Sequence, residues 1–353
     1  MPKWHGSSRS LDALPFRLPA GSGLGGHVSP ATADFRVEEI PAYEPCGFGE
    51  HTFLLVEKQG LSTPEAVRLV AQALRVRPGD VGYAGLKDTW AVTRQYLSVP
   101  NLPPERTFGI QLDGVRILAA RRHRNKLRIG HLKGNRFRIR VLPEAEGALT
   151  GARQLLEQAA RAGLPNLFGP QRFGSKDRNL HNGLRLLTGQ AKRPNPRHAR
   201  FLASAVQAAL FNAYVARRME AGVLDQVLEG DVLARGHGFR LAERDGDGRA
   251  QDLTGPIFGP RTPRSPEGTR PAEFEQEVLE AHDLTPRSFA ALGRLARGGR
   301  RPLLVFPEDV SAERDERGGL WVAFTLPPGC YATVVLRELL QVPYARLRPF
   351  EPL

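Results

Sequence analysis

The sequence predicts an α+β protein, and three observations carry that prediction. Period-two apolar runs crowd the first 145 residues, helical patterns occupy the middle of the chain, and a strand-like run, Leu320 to Leu326, returns near the end. This last run can complete the sheet begun before residue 145, which makes the middle an insertion. The expected organisation is therefore one domain from 1–162 plus 306–353, interrupted by a second from 163–305.

The elements follow in order. Residues 1–30 are rich in Gly, Pro and Ser without either periodicity, and read as an extended arm. Phe35 and Val37 alternate with charged neighbours, and Thr52 to Glu57 is β-branched and apolar, so two strands are expected around the turn-rich Pro41 to Gly49. Ser62 and Thr63 form a start signal for a helix over Pro64 to Leu74, with Pro64 suited to the first turn. Val81 to Ala84, Gln95 to Val99 and Val115 to Ala119 read as strands, with Gly85 to Ala91 connecting the first two. Lys126 to Ile129 and Arg136 to Val141 alternate basic with apolar residues, a pattern of strands with one wet face. Helices are expected over Leu149 to Ala162, ended by Gly163 and Pro165, and over Phe201 to Ala221 and Glu273 to Ala281. After Leu326, Pro327 to Gly329 is a turn that leads into the apolar Tyr331 to Leu340.

The chain has 353 residues, 41% of them apolar, enough for a substantial core. Fifty Lys plus Arg against 37 Asp plus Glu give a net charge of +13, so a polyanion is the expected partner and nucleic acid the leading one. The charge is concentrated: Arg121, Arg122, Arg124, Lys126, Arg128, Lys133, Arg136, Arg138 and Arg140 follow one another with no acid between them. Cys46 and Cys330 are too few for a disulfide framework, and the nine histidines show no ligand spacing, so no metal is expected. Met1 to Gly26 lacks a signal-length apolar core and no window reaches a membrane span, which points to a cytoplasmic protein with no membrane association.

The densest polar cluster is Gly85 Leu86 Lys87 Asp88, running on to Thr93 and Gln95. A carboxylate at a strand-to-loop junction beside a lysine can stay ionised at neutral pH, as a nucleophile or general base must. An Asp in a glycine-containing loop is more ordinarily a turn residue. Gly21, Gly23 and Gly26 match dinucleotide-binding spacing, but no strand precedes them and Pro30 interrupts the required helix. Asn166 to Gly174 combines aromatics, glycines, an amide and Arg172, a composition suited to stacking on bases and meeting phosphate, or equally to a tight hairpin with its aromatics inward.

Taken together these motifs resemble the TruD-type pseudouridine synthases, which modify uridine 13 of certain transfer RNAs. The resemblance spans nearly the whole chain. It rests on Asp34 Phe35 Arg36 Val37 Glu38 Glu39; Gly49 Glu50 His51; Ala84 Gly85 Leu86 Lys87 Asp88 with Ala91 Val92 Thr93 and Gln95; and Lys133 Gly134 Asn135 Arg136 Phe137. It continues through Pro165 Asn166, Phe168 Gly169, Gln171 Arg172 Phe173 Gly174, Ser204, and Leu210 Phe211 Asn212. It ends with Leu326 Pro327 Pro328 Gly329, Tyr331 Ala332 Thr333 and Arg337 Glu338 Leu339.

The resemblance implies a pseudouridine synthase catalytic domain on a mixed, largely antiparallel sheet, interrupted by a family-specific α/β insertion. It makes Asp88 the catalytic carboxylate and places Phe35, Asn135, Phe137 and Tyr331 against the target base, Tyr331 standing where the family often has Phe. Lys87, Thr93 and Gln95 become candidate supports, and the basic series from Arg121 to Arg140, with Arg172, candidate contacts to the RNA backbone. The reaction so implied breaks the N1 to C1′ bond, turns the uracil and joins C5 to C1′ with no redox change, so no cofactor is expected. The partner would be tRNA, with no protein partner required and a monomer expected. An RNA-binding protein without catalysis is the alternative; a methyltransferase is disfavoured by the lack of a glycine-rich turn between strand and helix.

Overall fold

Alternation decides which residues of this sheet face which way. In a computed structural model, which describes residues 11–347, nine strands form the main sheet: β1 (His27–Val28), β2 (Phe35–Pro41), β3 (His51–Gln59), β4 (Gly82–Tyr83), β5 (Val92–Pro100), β6 (Val115–His123), β7 (Leu132–Leu142), β8 (Glu308–Arg314) and β9 (Leu320–Leu326). Their order is β8-β9-β7-β2-β5-β3-β6, with β1 beside β7 and β4 beside β5. All neighbours are antiparallel except β2 and β5, which run parallel for three residues, Arg36, Val37 and Glu38 beside Val92, Thr93 and Arg94. With six helices, this is the α+β class with a mixed sheet, as expected.

Residues directly opposed across a ladder share a face. Phe35, Val37 and Glu39 oppose Ile139, Phe137 and Asn135, which in turn oppose Val322, Phe324 and Leu326. Thr93, Gln95 and Leu97 oppose Lys58, Val56 and Leu54, and Val37 adjoins Thr93. One face is therefore apolar at both ends and polar in the middle. Helix α1 (Thr63–Leu74) seals one end through Ala66, Val67, Val70 and Leu74 against Leu54, Val56, Leu97 and Val99. Each of these Val and Leu side chains contributes about 1.5–3 kcal/mol by leaving water. Helix α2 (Ala148–Ala162) buries Ala152, Leu155, Leu156 and Ala159, and its Arg153 Nε donates to the Ala312 carbonyl of β8 at 3.1 Å.

Two expectations are corrected here. The supposed arm is packed from residue 11 onward: Leu11, Leu14, Leu18 and Leu24 are buried, and the Leu24 and Gly25 amides donate to the Leu339 and Leu340 carbonyls. Its leucines are too sparse for a periodicity, and distant parts of the chain supply their pockets; residues 1–10 lie outside the described residues. Lys126 to Ile129 is not a strand but a turn-bearing connection. The Leu127 amide donates to Ser98 Oγ, Lys126 Nζ to the Gly79 carbonyl and the Gly130 amide to the Ala84 carbonyl, Gly130 taking φ +94°. No strand neighbour is left for these groups.

The chain divides into two compact units. One holds Gly21–Ala160, Pro307–Ala332 and 339–347; the other holds Arg161–Phe306 with 11–20 and Thr333–Glu338. The second unit is built on helices α3 (Arg178–Leu187), α4 (Pro196–Glu220) and α5 (Arg270–Glu280), with short strand pairs such as Thr254–Ile257 against Gly299–Pro302. Helix α4 starts at an Asn195 cap whose side chain accepts from the His198 amide, and its alanine-rich faces let it be buried on nearly every side. Arg218 and Asp231 form a fully buried pair at 2.7 Å, and Arg218 also donates to the Val223 and Gln226 carbonyls, so no charge is left uncompensated. Helix α6 (Ala332–Leu340) follows β9. No described helix is long and apolar enough to cross a membrane.

Candidate active site

The loop from Ala84 to Ala91 carries Asp88 between β4 and β5, and both its ends are buried alanines. Glycine at 85 and the polar run after it form no ladder, and side chains from three other elements, α1, β3 and β5, satisfy groups of the loop's backbone. Thr63, the first residue of α1, does this at the centre. Its Oγ1 accepts from the Lys87 amide at 2.9 Å and donates to Gln95 Oε1 at 2.9 Å, while Gln95 Nε2 returns to the Gly85 carbonyl at 3.3 Å. The Asp88 carbonyl accepts from Lys58 Nζ at 2.7 Å, and Lys58 also donates to the Leu61 carbonyl at 2.6 Å.

Charge is arranged around the same loop. Lys87 Nζ meets Glu39 Oε2 at 2.7 Å with both side chains almost wholly buried, and Glu39 Oε1 accepts from the Tyr96 amide at 3.2 Å. This occurs where β2 and β5 part after their three paired residues, so the Glu39 carboxylate bridges the opening. Lys58 is only 1% exposed, and burial pushes its pKa down to about 8. The Asp88 side chain retains open surface, while the protein packed around it withholds much of its water. Burial therefore pushes its carboxyl above the ordinary range, and the Lys58 and Lys87 charges pull against that push. The exposed edge limits how far it goes.

Other predicted residues sit along the polar strip. Asn135, half-buried, lies opposite Glu39 on one side and Leu326 on the other, and its Oδ1 is buried without a hydrogen-bond partner. Phe137 is next on the same face, its ring stacked on Phe324 at 5.5 Å. Thr93 is fully buried opposite Lys58, on the same face, with an unpartnered Oγ1. Phe35 is buried four residues from Glu39 along β2, about 13 Å at the usual strand rise. Tyr331, half-buried, begins the segment after the Pro327 to Cys330 turn, five residues beyond Leu326.

The basic series does not form one stripe. Arg136 and Arg138 alternate with Phe137 and so point to the opposite face, where Arg138 pairs with Glu313 at 3.6 Å and lies over the Trp321 ring at 4.5 Å, and Arg136 approaches Glu38 at 3.5 Å. Arg140 is a structural residue, contrary to expectation: it is held by Asp34, Asp315 and the Arg317 and Gly318 carbonyls. Arg122 donates to the Gly49 carbonyl at 3.1 Å, Lys126 is tied to Gly79, and Arg124 lies over Phe48 at 4.5 Å. Arg121, Arg128 and Lys133 are exposed, and Arg172 belongs to the other unit.

Sequence reasoning passed over Lys58, Glu39 and Thr63. The available signal was parity: Thr52, Leu54, Val56 and Lys58 share a face, as do Phe35, Val37 and Glu39, so a charge closes each apolar series. Among the described residues no group of three or more His, Cys, Asp and Glu side chains comes together as a metal would require.

Comparison with known proteins gives the family and the fold. A family profile described as tRNA pseudouridine synthase D (TruD) matches residues 17–196 and 192–339. A protein of Thermus thermophilus named tRNA pseudouridine synthase D is 41% identical over 340 residues, covering 94% of this chain and 93% of its own. One of the same name from Geobacter metallireducens is 38% identical over 397 residues, covering 92% and 97%, and one from an Anaeromyxobacter species is 42% identical over 334, covering 90% and 93%. The crystal structure of a putative tRNA pseudouridine synthase D from Methanosarcina mazei superposes with a TM-score of 0.72 at 22% identity, covering 96% of this chain and 98% of that one.

Proposed function

Because the chain belongs to the tRNA pseudouridine synthase D (TruD) family, we propose that it converts a uridine of transfer RNA, uridine 13, to pseudouridine, with Asp88 as the reacting carboxylate. The observation that carries the reading is the support of the Asp88 loop. Thr63, Gln95, Lys58 and the buried Glu39–Lys87 pair together hold a short glycine-bearing loop whose one exposed acid stands beside two cations. A turn residue needs no such scaffold.

The chemistry is an internal rearrangement: the N1 to C1′ bond breaks, the detached uracil turns, C5 bonds to C1′, and the C5 proton is finally transferred to N1. A carboxylate fixed beside the sugar removes much of the entropic barrier, on the order of 7–11 kcal/mol for well-placed groups. Lys58 leads the charges that favour ionised Asp88, while Lys87 is paired with Glu39. The unsatisfied Asn135 Oδ1 is an acceptor for a uracil N–H, and Phe137 supplies an apolar wall next to it. Phe35 and Tyr331 complete the base pocket in this reading. Extruding the uridine costs a few kcal/mol, which aromatic contacts worth about 1–3 kcal/mol each offset. The exposed Arg121, Arg124, Arg128 and Lys133 draw the RNA backbone, and the enzyme works as a single chain without a protein partner.

Single-turnover assay of wild type and Asp88→Asn on unmodified tRNA, with pseudouridine mapped by position, tests this. Wild type should convert uridine 13, while the variant binds tRNA equally and loses at least about a thousandfold in rate. Binding by wild type with no conversion anywhere would favour a non-catalytic RNA-binding protein, and conversion by Asp88→Asn at the wild-type rate would remove Asp88 from the chemistry.

A further inference from the structure

The unit formed around Arg161–Phe306 has a cavity of its own, about 310 Å³, lined among others by Phe168, Arg172, Ser204, Gln207, Arg300 and Arg301. That volume is at the lower end of small-ligand pockets and suits a single nucleotide more than a duplex.

The arginines around it differ in a telling way. Arg300 is fully engaged: it pairs with Glu275 at 2.7 Å and donates to Thr254 and to the Pro263 carbonyl. Arg301 donates to the Asn166 carbonyl and to Asn166 Oδ1, with its guanidinium 4.2 Å over the Phe168 ring. Arg172 has no carboxylate and no hydrogen-bond acceptor for its guanidinium among the described residues, and its Nε is buried. Its Nη groups, on a half-buried side chain that lines the cavity, likewise have no acceptor among the described residues, so an anion there gains charge-assisted hydrogen bonds without breaking an existing one.

The remaining lining matches the rest of a nucleotide. Phe168 is locked in place by Asn212, which accepts from its amide and donates to its carbonyl at 2.8 and 2.9 Å, and its ring is wedged edge-on against Phe211. It is a rigid aromatic platform for a base. Gln207 commits Nε2 to the Phe258 carbonyl at 2.6 Å, which fixes its amide with Oε1 turned away from that bond as an acceptor for a base N–H. Ser204 Oγ donates to the Phe201 carbonyl and keeps its lone pairs.

We propose that this cavity binds a second nucleotide of the substrate RNA, distinct from the target uridine, with its phosphate on Arg172 and its base against Phe168. The proposal rests on the RNA-modifying reading and adds a recognition site outside the Asp88 region. It accounts for an arginine with no partner among the described residues in a unit where Arg218 is matched by Asp231 and Arg300 by Glu275.

The test uses full-length protein, unmodified tRNA carrying 4-thiouridine at non-target positions, and two variants, Arg172→Gln and Ser204→Tyr. Arg172→Gln removes no hydrogen bond or ion pair among the described residues, so its melting temperature should stay within about 2 °C of wild type; Ser204→Tyr fills the cavity while leaving residue 172 as arginine. Both should weaken tRNA binding about tenfold, and Arg172→Gln should lower the slope of log Kd against log salt by about one. Photocrosslinking should join a non-target nucleotide to Phe168 in wild type and not in Ser204→Tyr. Unchanged tRNA affinity in both folded variants, or no crosslink to the Asn166 to Arg172 loop, overturns the proposal. Saturable binding of AMP or UMP alone without a tRNA crosslink also overturns it, because the occupant is then a free nucleotide. Wild-type conversion measured on the same tRNA separates the two ideas: if it proceeds while the variants behave as wild type, only the second site fails, and if wild type converts nothing, the parent reading falls and takes this one with it.

Discussion

Lys58 shows how much one buried charge can govern. With its pKa near 8, it is a cation through the neutral range and loses its charge as the medium turns alkaline. While charged it favours the carboxylate form of Asp88, against the burial that raises that group's pKa. The kcat/KM profile should therefore fall on the acid side as Asp88 protonates and again above about pH 8 as Lys58 neutralises. Lys58→Met removes the supporting charge, so its acid limb should move to higher pH and its alkaline limb disappear; a single-turnover profile superimposable on wild type would exclude this role. The stability sign is the reverse of the usual salt-bridge case. The folded pKa of Lys58 lies below its unfolded value near 10.4, so between about pH 8 and 10.4 the unfolded chain holds more protons and this residue's contribution rises with pH.

At the scale of elements, the start of α1 does two separable jobs. Ser62 caps it: the Glu65 amide donates to Ser62 Oγ, and the Ser62 amide donates to the Glu65 carboxylate at 2.7 Å. Ser62→Ala should cost about 1 kcal/mol in urea unfolding and leave kcat nearly intact. Thr63→Val is close in shape but leaves the Lys87 amide without an acceptor; it should lower kcat at least about tenfold with tRNA affinity within twofold, and the opposite pattern would show that the helix end matters only for stability. The same helix shows what was legible beforehand. Ser62, Thr63 and Pro64 announce its start because capping is local, and Phe35 to Glu39 reads as a strand because alternation is local. Lys126 to Ile129 imitates a strand by alternation, yet its partners Ser98, Gly79 and Ala84 are set by distant chain. Loop composition and family resemblance point to Asp88; parity marks Lys58 and Glu39 as charges that close apolar series, but their nearness to the Asp88 loop depends on the register that sets β3 beside β5 and β2 beside β7. Arg140 misled for the same reason: its acids Asp34 and Asp315 lie far from it in sequence.

At the scale of the molecule, the net charge of +13 serves a polyanionic substrate, but its distribution is divided between exposed residues and residues spent on internal pairs. The main sheet is assembled from separated stretches of chain, for β7 takes β2 on one side and β9 on the other, across all seven pairs from Asn135 to Val141. A chain ended after Phe306 should keep β7 as a long open edge and self-associate, as light scattering or sedimentation would show; a monomeric, cooperatively unfolding product would mean β9 is dispensable.

This arrangement has a consequence in time. A ribosome finishes β7 about 180 residues before it finishes β9, and at common elongation rates of 5–20 residues per second that interval lasts about 10 to 40 s. Throughout it, the strand bearing Asn135 and Phe137 waits with a free flank while the bulk of the other unit, Arg161–Phe306, is synthesised. The main sheet is therefore completed late, and the birth of each molecule includes a window in which a holding chaperone, or a slower codon, decides whether that flank meets its own β9 or a neighbour's β7.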